Sequence, residues 1–169
     1  SVTGVQTCAL PILFGKKIDA KQTLIDISRD ECESSLAEFI RQAWHIVEPG
    51  ADYVHNWHVD LICEHLEAIT YGVEFDDGTK YNRLLINVPP GMMKSLLTNV
   101  FWPSWEWGPR NMPHMRYLCA SHSMDLAIRD STKMRRLVES TWFQERWGDR
   151  SEEHTSELQS HLNLVCRLL

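Results

Sequence analysis

No stretch of this 169-residue chain holds the roughly 18 consecutive apolar residues of a membrane span, so the sequence predicts no bilayer crossing. Repeats and low-complexity tracts are also missing, which leaves no basis for a repeat array. Positive charge is scarce. The formal net charge of −6 argues against a simple basic nucleic-acid binder. That scarcity is uneven, however. Residues 13–79 carry five Lys/Arg against fourteen Asp/Glu, and residues 80–149 carry ten against six. The second half is therefore the better candidate for meeting a polyanion such as nucleotide or DNA.

The two ends stand apart from the middle. Val2 to Ile12, VTGVQTCALPI, resembles a translated sequencing-library adapter. Arg150 to His161, RSEEHTSELQSH, resembles a translation of that adapter's reverse complement. The competing reading is a polar N-terminal arm and a C-terminal helix. We expect residues 1–12 and 150–169 to be adapter-derived and residues 13–149 to be an internal fragment of something longer. With Cys8 and Cys166 set aside, Cys32, Cys63 and Cys119 remain. Three unclustered cysteines fit reduced cytosolic thiols rather than a disulfide framework.

Residues 16–30 read as a polar, partly helical lead-in. Leu36, Phe39, Ile40, Ala43, Trp44 and Val47 recur at three- and four-residue steps. They predict an amphipathic helix stopped by Pro49-Gly50. A second helix is predicted over 56–70. Arg83 to Val88, RLLINV, and Met115 to Ala120, MRYLCA, fit buried strands. Between them, residues 95–107 can form a helix that Pro103 must kink or end. A further helix is predicted over 123–140, basic on one side. Strands alternating with helices predict an α/β fold with a parallel βαβ sheet, an incomplete P-loop NTPase core over 81–149. A helical lead-in over 13–80 precedes it. Two strands make no stable sheet alone, so further strands are expected beyond Asp149.

The stretch NVPPGMMKSLL, 87–97, carries the chemistry. A phosphate loop points successive backbone N–H groups at phosphate oxygens, at the start of a helix. Aligning Lys94-Ser95 with the lysine-serine of GxxxxGK[ST] places Val88 and Met93 where glycines belong. Gly91 lies between, and Gly91 to Leu96 all keep their N–H groups. Spacing alone leaves two readings open: a nucleotide loop, or a strand-turn-helix with a solvent-facing lysine.

Those residues, with RYLCASHSMDLAIRDSTKMRRLVESTWFQERWG downstream and HNWHVDLICEHLEAI upstream, resemble the large subunit of tailed-bacteriophage terminases. The resemblance covers most of residues 35–148 and departs at Met93, where many members have glycine. It implies part of an ATP-driven DNA-packaging motor in the cytoplasm of the bacterial host. Double-stranded DNA, a portal, a small terminase subunit and further copies of the chain would be its partners. It also implies that Pro90, Gly91, Met92, Met93, Lys94, Ser95 and Leu96 bind ATP, with Lys94 on the outer phosphates and Ser95 on Mg²⁺. Asn56, Trp57 and His58 occupy the place of an adenine-side motif, though helix capping and packing account for them equally. Arg129 is a candidate for reaching a neighbouring subunit's nucleotide.

Other residues read plainly. His55, His58, Cys63 and His65 do not form a tetrahedral metal pattern. Trp102, Trp105 and Trp107 fit the core and rim of a helix better than a base-stacking platform. Ser121-His122-Ser123 lacks the glycines of a hydrolase elbow. Asp76-Asp77 sits in a turn, and no apolar strand ending in paired acids follows Ser123. The chain is therefore expected to bind nucleotide without hydrolysing it. A non-catalytic phage or DNA-associated scaffold module, with an incidental Lys-Ser turn, is the alternative.

Overall fold

A computed structural model describes residues 19–151. The adapter-like segment 1–12 and most of the second one lie outside the described residues. Helices α1 (Ala20–Ser34), α2 (Leu36–Val47) and α3 (Trp57–Thr70) come first. A continuous helical stretch then runs through α4 (Lys94–Leu96), a π-helical segment (Leu97–Phe101) and α5 (Trp102–Trp107). The chain continues with α6 (Met124–Val138) and α7 (Thr141–Ser151).

Local chemistry sets these boundaries. The Asp19 side chain accepts from the N–H of Lys21 at the start of α1. Ser35 takes the corresponding position for α2, and the Glu67 carboxylate on α3 accepts the otherwise unpaired N–H of Leu36 at 2.6 Å. Pro103 neither ends nor interrupts the continuous stretch from α4 to α5. Proline cannot donate and crowds the carbonyl four residues back. The π turn just ahead of it moves the pairing, so that the N–H of Trp102 reaches the carbonyl of Leu97, five residues back.

The core centres on α2. Its apolar face is buried at each of the positions the periodicity selected: Leu36, Phe39, Ile40, Ala43, Trp44 and Val47. Phe39 meets Phe101, Trp142, Phe143 and Trp147 at ring separations of 5.8–6.5 Å, mostly edge-on. Trp44 stacks on Phe101. Buried tryptophans also need acceptors. The indole N–H of Trp105 donates to the carbonyl of Cys32 at 2.7 Å, and that of Trp107 to Met115 at 3.0 Å. Helices from both sides of residue 80 contribute to this one core.

The expected α/β architecture is overturned. Among the described residues there is no β-strand and no sheet, so this is not the parallel βαβ core of a P-loop NTPase. Pairing is limited to one antiparallel bridge between Glu74 and Lys80. The two apolar runs are extended but unpaired. Their side chains alternate. Leu84, Ile86 and Tyr117 pack partly against the helices, while Leu85 is 94% and Leu118 86% exposed. The alternation is that of strands, but a ladder needs paired backbones, and among the described residues neither run is paired.

Candidate functional site

The loop between the first extended run and α4 turns through two left-handed residues. Gly91 has φ +86°. Met93, directly before α4, has φ 57° and ψ 3°, a conformation that favours glycine. The motif therefore adopts at Met93 the backbone geometry its missing glycine would supply without strain. Helical bonding begins immediately: the N–H of Leu97 reaches the carbonyl of Met93 at 3.0 Å. The backbone N–H groups of residues 91–96 make no hydrogen bond among the described residues. They form a run of free donors at the head of a helical stretch, where the peptide dipoles favour an anion.

A cavity of about 430 Å³ opens over this run. Pro90, Gly91, Met92, Met93, Lys94, Ser95 and Leu96 all line it, together with Val88 and Pro89. So do Arg129 and Lys133, one turn apart on α6, and Glu48 at the end of α2. Arg129 thus faces the loop of its own chain. Its guanidinium is held by Asp130, with Nε at 2.9 Å and an outer nitrogen at 2.8 Å from the same carboxylate oxygen. Lys133 is paired with Glu48.

A second cavity, of about 420 Å³, adjoins the first. Trp44, Val54, Asn56 and His58 line it, and it shares Glu48, Gly91, Met92 and Met93 with its neighbour. Asn56 precedes α3 without a side-chain capping bond. The Nε2 atom of His58 is buried and without a partner among the described residues. Trp57 is absent from both linings; it is 72% exposed and meets His58 edge-on.

The remaining candidates are accounted for individually. The Nε2 of His55 lies 3.2 Å from Asp60, and the Nδ1 of His65 bonds the Tyr81 hydroxyl at 2.9 Å. Cys63 is buried, and burial pushes its thiol well above the ordinary range. Among the described residues no cluster of three or more His, Cys, Asp or Glu is placed to hold a metal. Asp77 accepts from the N–H and hydroxyl of Thr79, which lower its carboxyl and close the turn. None of the described helices is long and apolar enough to cross a membrane.

Sequence reasoning missed Glu48 and took Lys133 no further than the basic side of the 123–140 helix. The i, i+4 spacing of Arg129 and Lys133 puts them on one side of α6, but nothing in that spacing says which side faces the loop. Comparisons with family models, curated proteins and solved structures give no match for this chain.

Proposed function

We propose that this chain binds ATP with Mg²⁺ through residues 90–96, as a helical portion of a DNA-packaging motor of the terminase large-subunit type. One observation carries the reading. Free backbone donors, Lys94, Ser95, Arg129 and Lys133 all line one cavity at the head of a helical stretch. Three cations and a run of amides suit a polyphosphate far better than a neutral ligand. Lys94 and Lys133 would neutralise phosphate oxygens. The hydroxyl of Ser95 suits Mg²⁺, which keeps several waters and is usually bound through few protein groups plus substrate phosphates. Asn56 and His58, in the adjoining cavity, stand where a base would follow the phosphates. Double-stranded DNA, a portal, a small subunit and further copies of the chain belong to the same proposal, as does the host cytoplasm.

The helical architecture is the observation that favours the second reading, a scaffold module with an incidental Lys-Ser turn. Against it, Lys94 lines the cavity with the other cations rather than a separate surface.

Calorimetry with Mg-ATP tests the proposal. The wild-type chain binds, and Lys94→Ala binds at least tenfold more weakly with an unchanged melting curve. Equal affinities would overturn it. Phosphate release should not exceed that of the Lys94→Ala control, because no strand-end acid to hold metal and orient water is present among the described residues.

A further inference from the structure

The two adjoining cavities divide the labour of a nucleotide, and one carboxylate stands between them. The first is walled by loop amides and cations. The second is walled by Trp44, Val54 and Met92, with Asp52, Asn56 and His58 as polar groups of its own. Phosphates fit the first and an aromatic base the second. Glu48 lines both, and it brings the one acidic side chain of the first lining. Its position is fixed at the end of α2, where its N–H closes the helix onto the carbonyl of Trp44. Its carboxylate is paired with Lys133.

We propose that Glu48 recognises the sugar of the bound nucleotide, accepting hydrogen bonds from the ribose hydroxyls. The inference rests on the nucleotide-binding reading above. A ribose joins phosphate to base, so a group at the boundary of the two cavities meets it. Carboxylates suit vicinal hydroxyls, because they offer acceptors and no donors. Glu48 also occupies Lys133 through their ion pair. A phosphate chain therefore competes with Glu48 for Lys133, whereas a ribonucleotide gives Glu48 new partners as Lys133 turns to the phosphates. Glu48 thus favours a nucleotide over a bare polyphosphate by acting in opposite directions on the two.

The test measures three ligands by calorimetry, each with Mg²⁺: ATP, 2′,3′-dideoxy-ATP and inorganic tripolyphosphate. The proteins are the wild-type chain, Glu48→Ala and Glu48→Gln. The wild type should prefer ATP over the dideoxy compound by about tenfold, the scale of one charge-assisted hydrogen bond. Glu48→Ala should lose that preference and bind tripolyphosphate more tightly than the wild type. Glu48→Gln keeps an acceptor without the charge, so it should fall between the two and guard against a folding defect in the alanine variant. An ATP preference retained in Glu48→Ala, or equal weakening of all three ligands, would overturn the sugar assignment. Wild-type binding of tripolyphosphate without any preference for ATP would overturn it too, while leaving the phosphate site standing. No binding of any ligand by the wild type would remove both.

Discussion

The hydroxyl of Thr70, at the end of α3, donates to the carboxyl of Glu106 on α5 at 2.6 Å, deep in the core. The indole N–H of Trp102 donates in turn to the same hydroxyl at 2.9 Å. The second carboxyl oxygen of Glu106 has no partner among the described residues. Burial raises the carboxyl above its ordinary value of 4.5, against smaller lowering by Thr70 and His114. The folded protein therefore holds this proton more tightly than the unfolded chain does. Stability from this group is complete below about pH 4.5 and falls as pH rises through the raised value. Glu106→Gln removes the titration and keeps the shape. Its stability should exceed the wild type's near pH 7, and the difference should shrink toward pH 4. Parallel pH profiles of the two proteins in urea would refute this.

Met93 holds its left-handed conformation at a cost of about 1–2 kcal/mol. Glycine would remove that cost, but it gives up the methionine's partial packing against the core and adds chain entropy to the unfolded state. Met93→Gly should therefore change stability by less than about 1 kcal/mol and keep nucleotide binding. Met93→Ile, β-branched at positive φ, should cost roughly 2 kcal/mol or more. Denaturant titrations that rank the two the other way would show that side-chain packing dominates the loop.

Gly108 follows α5 against the ring of Phe143. A Cβ there would stand 2.4 Å from the ring's Cζ. Phe143 is buried among Phe39 and Trp147 and has little room to withdraw. Gly108→Ala should cost about 1–3 kcal/mol by overpacking. Adding Phe143→Leu should cost less than the two single changes summed, because the smaller side chain removes the clash. Additive losses in thermal melts would place the defect in the backbone instead.

Arg150 tests the expected junction between core and adapter-like sequence. Helix α7 runs through it to Ser151. The Arg150 guanidinium lies 2.9 Å from Glu33 and donates to the carbonyls of Gly108 and Pro109 at 3.2 and 3.0 Å. About a quarter of the side chain is exposed, which screens the pair. Arg150→Ala should still lower stability by about 1 kcal/mol. An unchanged denaturation midpoint would put the end of the working fold at Asp149.

Helices α2 and α3, the cationic stretch of α6 and the location of the loop were legible in the residues themselves. The bonds that make a helix join residues four apart, so an apolar face at three- and four-residue steps, stopped by Pro49-Gly50, already contains the information. The loop was legible for a similar reason. Gly91, Lys94 and Ser95 fall within one short turn, and a helix start leaves its N–H groups free whatever packs beside it. Tertiary structure alone decided the rest. RLLINV and MRYLCA carry the alternation of strands, yet a strand is completed by pairing with a distant backbone, and neither run is so paired among the described residues. In the same way, Glu48 and Lys133 stand 85 residues apart in sequence. They meet because α2 and α6 pack together, and that packing turns Lys133 and Arg129 toward the loop. The side of α6 that faces inward follows from which neighbours its apolar residues find, and local spacing does not encode those neighbours.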